Sequence, residues 1–239
     1  MKINTQILST APLDDELIES AFRKGVEIEA LSFIQMEPLR EKNLAEELEE
    51  LCESEITAVF TSVNAVNAIN VFLKELKPKW NVYCIGHATR TAVLEYFDAA
   101  LIKGVASNGE VLAGIIHSNN VSGVVFFCGD KRLDALPDKL HKEGIMVREV
   151  VVYKTKQTPE HVTKHYQGIL FFSPNGVNSF FSVNEVGPLT VLFAIGGTTA
   201  KAIHEKTNNK VVVSDVPSRE EMVHKVIQYF HKEVPVAGK

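Results

Sequence analysis

The stretch TSVNAV at residues 61–66 decides the fold, because a close counterpart, FSPNGV, stands at residues 172–177. Ser62 and Ser173 occupy the same place in the two copies. In each copy an apolar run comes before the serine and a helix-like pattern follows it. A strand that passes directly into a helix is the basic unit of α/β sheets. The chain is therefore predicted to use the same strand-to-helix turn twice.

Two further pairs of segments recur in the same order. IGHAT at 85–89 corresponds to IGGTT at 195–199, and ASNGE at 106–110 corresponds to PSREE at 217–221. The offsets between the copies are all 110 or 111 residues, which indicates an internal duplication. In α/β sheets such turns lie at the carboxyl ends of the strands, where ligands bind. We therefore expect two similar α/β domains, each with a rim, meaning the row of helix N-termini at that end of its sheet.

Short apolar runs alternate with helical patterns along almost the whole chain. Most runs have four to eight residues and are nearly continuously apolar, which is typical of parallel strands covered on both faces. The predicted strands are residues 3–8, 26–33, 56–60, 82–85, 99–102, 124–127, 146–153, 169–172, 191–195 and 211–213. The predicted helices are residues 13–24, 44–53, 63–76, 88–97, 110–117, 132–143, 176–183, 199–206 and 218–230. The alternation predicts doubly wound parallel sheets.

The order of the strands predicts how the two domains are connected. Each domain receives five strands, but the two strands outside the repeat come first in one domain and last in the other. This is the pattern of a circular permutation. We predict an outer domain of residues 1–35 plus 157–239, interrupted by an inserted domain of residues 38–152. The linkers, 32–39 and 153–158, form a predicted hinge that can open and close a cleft.

Composition excludes several classes of protein. Hydrophobic residues make up 45% of the chain and charged residues 23%, and the net charge is −5. No basic run exists to neutralise phosphates, so a nucleic-acid partner is not expected. The chain has no apolar run of about 20 residues and no signal-peptide pattern, so no membrane partner is expected either. With only three cysteines, we expect a cytoplasmic protein.

Four serines stand at the predicted turns: Ser62, Ser173, Ser107 and Ser218. A serine at this position accepts a backbone N–H and caps the helix. The remaining N–H groups and the helix dipole point outward, where they attract anions. Capping alone explains any single serine, whereas the duplicated rim favours binding of carboxylates or phosphates, and the sequence leaves both interpretations open. Ser107 and Ser218 are the weaker anion sites, because acidic residues follow them.

The two isoleucine-glycine turns add further candidates. Gly86 and Gly196 would let the backbone turn tightly and approach a ligand. Thr89, and either Thr198 or Thr199, would add hydroxyl groups at the helix start. The motifs GxGxxG, GxxxxGKS and GxSxG are absent from the sequence, which argues against dinucleotide, P-loop and α/β-hydrolase chemistry.

A metal site is not expected. His161 and His165 have i, i+4 spacing without the glutamate of an HExxH motif, and we interpret them as solvated helix residues. His87 stands at a rim turn, where core, solvent and cleft positions are all open. Cys84 and Cys128 end apolar strands and are interpreted as small buried residues.

Tyr153 follows three valines at the point where the chain is predicted to cross between domains. Its ring could pack the hinge, or its hydroxyl could reach the cleft as a proton donor. The residues alone leave both roles open.

Six motifs taken together resemble the uroporphyrinogen-III synthase family. They are FTSVNAV at 60–66, IGHAT at 85–89, GDKR at 129–132, VVYKT at 151–155, FSPNGV at 172–177 and AIGGTTA at 194–200. The resemblance implies two flavodoxin-like domains, one inserted in the other and joined by a two-stranded linker. It implies a hydro-lyase of haem biosynthesis that cyclises hydroxymethylbilane to uroporphyrinogen III, with loss of water and inversion of ring D. It also implies that no metal or organic cofactor is needed, and we expect a monomer acting on a linear tetrapyrrole.

The same resemblance implies which residues form the site. The family's catalytic and binding positions match Tyr153, Thr89, and Thr198 or Thr199, with Ser62 and Ser173 at the paired turns. The chain departs from the family at Ser9-Thr10, where many members have Thr-Arg, and at Ser32, where many have proline. Lys131 or Arg132 is expected to replace the missing cation from the opposite domain.

Two other functions fit the predicted fold. A non-enzymatic protein or sensor could close its cleft over a small anion, since two α/β domains with two crossovers also occur in periplasmic-type binding modules. A nucleotide-dependent transferase is disfavoured by the missing glycine-rich turn.

Overall fold

The computed structural model of the chain describes residues 5–73, 76–132 and 134–232. Residues 3–4, 74–75 and 133, which belong to a predicted strand and two predicted helices, lie outside the described residues. The chain divides into two compact units. Unit 1 is the chain up to Gln35 together with the chain from Lys156 onward, and unit 2 is Met36–Thr155.

Strands and helices alternate through both units. The strands are β1 (Thr5–Ser9), β2 (Val26–Ala30), β3 (Ile34–Pro38), β4 (Thr57–Phe60), β5 (Asn81–Ile85), β6 (Ile102–Ala106), β7 (Gly123–Gly129), β8 (Met146–Gln157), β9 (Gly168–Phe171), β10 (Val191–Ala194) and β11 (Val211–Val213). The helices are α1 (Asp15–Arg23), α2 (Lys42–Glu53), α3 (Val63–Leu73), α4 (His87–Tyr96), α5 (Gly109–Ser118), α6 (Ala135–Lys142), α7 (Pro174–Phe181), α8 (Gly197–His204) and α9 (Arg219–Lys232).

Each unit contains one sheet, and the two sheets share an order. Unit 1 has the order β2-β1-β9-β10-β11, and unit 2 has β8-β7-β4-β5-β6 with β3 added beside β8. The pairings within β1, β2 and β9–β11, and those within β4–β8, are parallel. The prediction of parallel α/β sheets is therefore confirmed, and the sheets are circular permutations of each other.

The repeated sequence segments occupy equivalent positions in the two sheets. Phe60 of β4 pairs with Cys84 of β5 in unit 2, and Phe171 of β9 pairs with Ala194 of β10 in unit 1. These pairs precede the matching turns at Ser62 and Ser173 in the chain. The strand ends and the turns that follow them are thus placed alike in the two sheets.

Core side chains cover both faces of each sheet. Ile7 and Leu8 are consecutive in β1, yet they belong to two different clusters of buried residues. In β4, Phe60 belongs to one cluster and Val59 to another. Successive strand residues point to opposite faces, so both faces are apolar and closed. This explains why the strands are continuously apolar rather than alternating.

Two parts of the prediction were wrong in detail. Residues 99–102 were predicted as a strand, but Ala99–Leu101 forms a short 3-10 helix and the strand begins at Ile102. The carboxylate of Asp98 accepts the N–H of Ala100 and so favours the turn. The predicted strand 26–33 ends at Ala30, and part of the predicted linker forms β3, which makes the sheet of unit 2 six-stranded.

None of the helices in the described part of the chain is long and apolar enough to cross a membrane.

Among the side-chain oxygens and nitrogens that are fully closed off from solvent in the described ranges, one hydroxyl has no hydrogen-bond partner. Ser179 of α7 is completely buried, and its Oγ has no hydrogen-bond partner there. The neighbouring hydroxyl of Ser182 donates to the carbonyl of Ser179 at 2.7 Å. An unpaired buried hydroxyl lowers stability, because it loses its bonds to water and gains none in return.

We expect Ser179→Ala to raise the free energy of unfolding by about 1 kcal/mol, the lower end of the desolvation penalty that the replacement removes. Ser182→Ala is the matched control, since it deletes the same atom from a bonded hydroxyl, and it should lower stability by about 0.5–1 kcal/mol. Urea unfolding of the purified variants measures both. A destabilised Ser179→Ala protein would contradict this account of the site.

Candidate active site

The first pair of predicted serines does cap helices. In unit 2, Ser62 Oγ accepts the N–H of Ala65 at 3.2 Å, at the start of α3. In unit 1, Ser173 Oγ accepts the N–H of Gly176 at 3.1 Å, at the start of α7. Each serine therefore uses its oxygen to satisfy one of the N–H groups that a helix start leaves without a partner.

Of the second pair of predicted capping serines, Ser107 and Ser218, only one caps a helix. Ser218 accepts the N–H of Glu221 at 3.1 Å and caps α9. Ser107, however, does not cap α5, because Asn108 does so by accepting the N–H of Val111 at 3.0 Å. The helix begins at Gly109, so the residue at the capping position is the asparagine, which caps as well as serine does.

The rim helices α4 and α8 have no side-chain cap. Each follows a glycine, Gly86 or Gly196, at the capping position. Their first-turn N–H groups therefore meet no side-chain acceptor from the capping residue, unlike those of α3, α5, α7 and α9. Free N–H groups at the positive end of a helix dipole suit a carboxylate. These two turns are the best anion-binding candidates of the two rims.

The two glycines have different backbone conformations. Gly86 has φ +84° and ψ 157°, a region that is almost restricted to glycine. Gly196 has φ −174° and ψ 176°, an extended conformation that any residue adopts. The sequence-based reason for a glycine, a special backbone turn, therefore applies to Gly86 and not to Gly196.

The threonines of these turns are placed alike in the two units. Thr89 and Thr199 are each the third residue of their helix and are almost completely buried. Neither hydroxyl is hydrogen-bonded to any residue in the described ranges, so both are available to a ligand. Thr198 is exposed and corresponds in position to Ala88. Between the two threonines that the sequence left open, Thr199 is the structural counterpart of Thr89.

Tyr153 lies at the rim of unit 2. It is half-buried in β8, and its ring packs against the core that lies beneath α3. Its hydroxyl oxygen is 3.3 Å from Ser62 Oγ, at the start of that helix. The ring therefore packs and the hydroxyl meets a rim residue, so the two roles considered for this side chain are not exclusive.

The sequence did not indicate what makes room for the tyrosine. The ring of Tyr153 lies over Gly129, the last residue of β7. A Cβ atom on Gly129 would lie 2.5 Å from two ring carbons, which is far inside van der Waals contact. A glycine at the end of a buried strand is the signal that could have revealed this close approach.

The two basic candidates, Lys131 and Arg132, differ in whether their positive charge is already paired. The guanidinium of Arg132 donates through Nε and Nη2 to the carboxylate of Glu149, each at 2.6 Å, and also pairs with Asp134. These bonds, that to Glu149 first, raise the pKa of Arg132 and neutralise its charge locally. Lys131 is exposed and forms no ion pair within the described ranges. Of the two candidates, Lys131 is therefore the one whose charge is available to an anionic ligand.

The candidate histidines are exposed, and the candidate thiols are buried. His161 and His165 are exposed and lie outside any helix, so the expectation that they belong to one was wrong. No group of three or more metal-ligating side chains occurs among the residues that the structure describes. Cys84 and Cys128 are buried, and burial raises the pKa of both thiols, that of Cys128 to about 11.

Fold and rim together define a class: proteins of two permuted parallel α/β units that present helix N-termini at the carboxyl ends of their strands. The family model described as uroporphyrinogen-III synthase HemD matches residues 15–224. The match covers most of the chain, and the chain belongs to the uroporphyrinogen-III synthase family. The resemblance seen in the sequence motifs is thereby confirmed.

Individual relatives agree with the family. Uroporphyrinogen-III synthase of Saccharomyces cerevisiae is 29% identical over 175 residues, which span 62% of this chain and 64% of the yeast protein. The alignment thus covers slightly less than two thirds of that relative. The solved structure of the Helicobacter pylori enzyme has a TM-score of 0.63 at 17% identity and covers 94% of this chain and 99% of its own. A mutant enzyme of Thermus thermophilus has a TM-score of 0.61 at 16% identity, with coverage of 96% and 100%. Both structures share the fold.

We expect Gly86→Ala to lower the free energy of unfolding by about 1–3 kcal/mol more than Gly196→Ala does. Both replacements add a Cβ that finds no atom within 4 Å, and both place alanine at a helix-capping position. The difference between them therefore isolates the backbone strain at Gly86. Equal losses in thermal or urea unfolding would contradict the assigned conformation.

Proposed function

We propose that this chain is a uroporphyrinogen-III synthase. It removes water from hydroxymethylbilane and closes the linear tetrapyrrole with inversion of ring D to form uroporphyrinogen III, in haem biosynthesis. The observation that carries the proposal is the family match across residues 15–224. The geometry of Tyr153 and Ser62 at the rim supports it by placing a phenol beside a helix N-terminus.

Binding of the substrate depends on local donors rather than on net charge. Hydroxymethylbilane has eight carboxylates, whereas the chain has a net charge of −5. The uncapped first turns of α4 and α8 offer backbone N–H groups, and Thr89 and Thr199 offer unused hydroxyls beside them. Lys131 adds one exposed cation. Such fixed dipoles bind carboxylates without requiring a basic surface.

The reaction begins when the hydroxyl of the substrate departs as water. The adjacent pyrrole nitrogen assists this departure and leaves an electrophilic azafulvene, so the enzyme has to supply only a modest acid. We assign that role to the hydroxyl of Tyr153. Ser62 Oγ already accepts a helix N–H and lies within 3.3 Å of the phenol, so it can hold the phenol oxygen in place.

The harder task is to select the isomer. Ring D must be attacked at its substituted carbon, through a spiro intermediate, before the default closure takes place. Positioning of a flexible substrate by several fixed donors can supply this selectivity. It follows that removal of one catalytic group reduces the rate only in part.

The proposal includes a cytoplasmic monomer. The free thiols Cys52, Cys84 and Cys128 form no disulfide in the described part of the chain, which is consistent with a reducing compartment. Sedimentation equilibrium of the purified protein tests the monomer, since a dimer would have twice the chain mass of 26.5 kDa.

Purified protein should convert hydroxymethylbilane to uroporphyrinogen III without added metal or cofactor, because the proposed chemistry needs only donors and one weak acid. Chromatography of the oxidised products separates the type III isomer from the type I isomer. Formation of type I alone, at the spontaneous rate, would refute the assignment. Tight binding of the substrate without turnover would instead favour the binding-protein alternative.

We expect Tyr153→Phe to lower kcat by roughly tenfold to a hundredfold, at or below the low end of a general-acid contribution. The melting temperature should change little, because the ring that packs against the core remains. Tyr96→Phe is the matched control, since it deletes the same atom from a partly exposed tyrosine and should leave kcat unchanged. Wild-type turnover and isomer ratio in Tyr153→Phe would reduce this residue to a packing role.

A further inference from the structure

The alternation of strand β8 is broken just before Tyr153. Cys128 of β7 pairs with Val151 of β8, but the next residue, Gly129, pairs with Tyr153. Val152 is therefore an extra residue on β8, as in a β-bulge. Bulges redirect side chains, and they are common beside active sites.

The extra residue changes the face on which Tyr153 lies. In a regular strand, Tyr153 would share a face with Val151, which is partly exposed, and would point away from Val152. Here Val152 and Tyr153 contact the same buried cluster, the one that includes the inner face of α3. The shifted register is thus what brings the phenol to Ser62 at the start of that helix.

Asp130 holds the strand in the shifted register. Its backbone N–H donates to the carbonyl of Tyr153 at 3.1 Å. Its carboxylate Oδ1 accepts the N–H of Thr155 at 2.8 Å. One residue therefore binds the backbone at Tyr153 and again two residues later. The carbonyl of Val152, on the other side, accepts the N–H of Leu39 at 2.9 Å.

Asp130 has no other described role. It is exposed, and its carboxylate forms no ion pair with any residue in the described ranges, in contrast to the neighbouring Arg132. Within the described ranges, its carboxylate therefore accepts a hydrogen bond from a single group, the backbone N–H of Thr155. Gly129 makes room for the tyrosine ring, and Asp130 fixes the backbone that carries it.

We propose that Asp130 is a positioning residue for the reaction: its backbone and carboxylate hold the irregular register of β8 that places the Tyr153 hydroxyl at the start of α3. This inference rests on the proposed function for its effect on turnover. The geometric part, the placement of the ring, stands independently of the substrate.

The kinetic test compares two replacements. Asp130→Ala removes the acceptor for Thr155 and should lower kcat on the order of tenfold, with KM changed less than about twofold, because the reacting group is displaced rather than lost. Asp130→Asn keeps an acceptor oxygen and removes the charge, so it should restore most of kcat. Asp138→Ala, on the exposed side of α6, is the control for loss of an aspartate and should behave like the wild type. Equal losses in Asp130→Ala and Asp130→Asn would overturn the acceptor role.

A double-mutant cycle tests whether Asp130 acts through the tyrosine. In the Tyr153→Phe background, Asp130→Ala should cause no further loss of kcat, because the hydroxyl that it positions is already absent. Losses that multiply would show that Asp130 contributes in another way and would overturn the proposal.

A measurement without substrate separates this proposal from the proposed function. With 3-fluorotyrosine at position 153, the ¹⁹F resonance should be shifted from that of the unfolded chain in the wild type and in Asp130→Asn. It should move toward the unfolded position in Asp130→Ala. An unchanged resonance in Asp130→Ala would overturn the positioning role even if the enzyme is active. An inactive wild type with the expected resonances would refute the proposed function alone.

Discussion

Closure of both sheet faces by apolar side chains is the constraint on which the rest of the structure depends. Consecutive residues such as Ile7 and Leu8 are buried in different clusters, so neither face of the sheet has room for a polar ligand. Unpaired backbone groups therefore occur at strand ends and helix starts. Gly86 and Thr89 lie at such a place. A protein built in this way can offer backbone dipoles to an acidic molecule even though its overall charge is negative.

Much of the fold could be predicted from the sequence because the duplicated turns carry physical meaning. Apolar runs predicted buried parallel strands, and the offset between Ser62 and Ser173 predicted equivalent turns. The errors lie where a single side chain overrides the local pattern. Asp98 turns an apolar segment into a 3-10 helix, and Asn108 rather than Ser107 caps α5. Either of two adjacent polar residues can cap a helix, and the residue at which the helix begins decides which one does so. The sequence alone does not show where that helix begins.

The site could be predicted less completely, since it depends on register. Adjacent threonines, Thr198 and Thr199, are indistinguishable as motif members, and only the start of α8 makes the second one the buried counterpart of Thr89. The contact between Tyr153 and Ser62 depends on an irregular pairing of β7 with β8. A shift of one residue moves a side chain to the other face of a sheet, and strand periodicity gives no sign of it.

The permuted order of the strands also affects how the chain is made. β1 lies between β2 and β9 in the sheet of unit 1, where Ile7 pairs with Gly168 of β9. Unit 2 is one uninterrupted segment, Met36–Thr155, and all strands of its sheet except the start of β3 and the end of β8 lie within it. A growing chain emerges from the ribosome N-terminus first, so unit 2 can fold while β1 still lacks β9, the partner strand on its other side from β2. Folding of unit 2 shortens the effective loop between β1 and β9. The inserted unit thereby lowers the entropic cost of pairing these two strands in the sheet of unit 1.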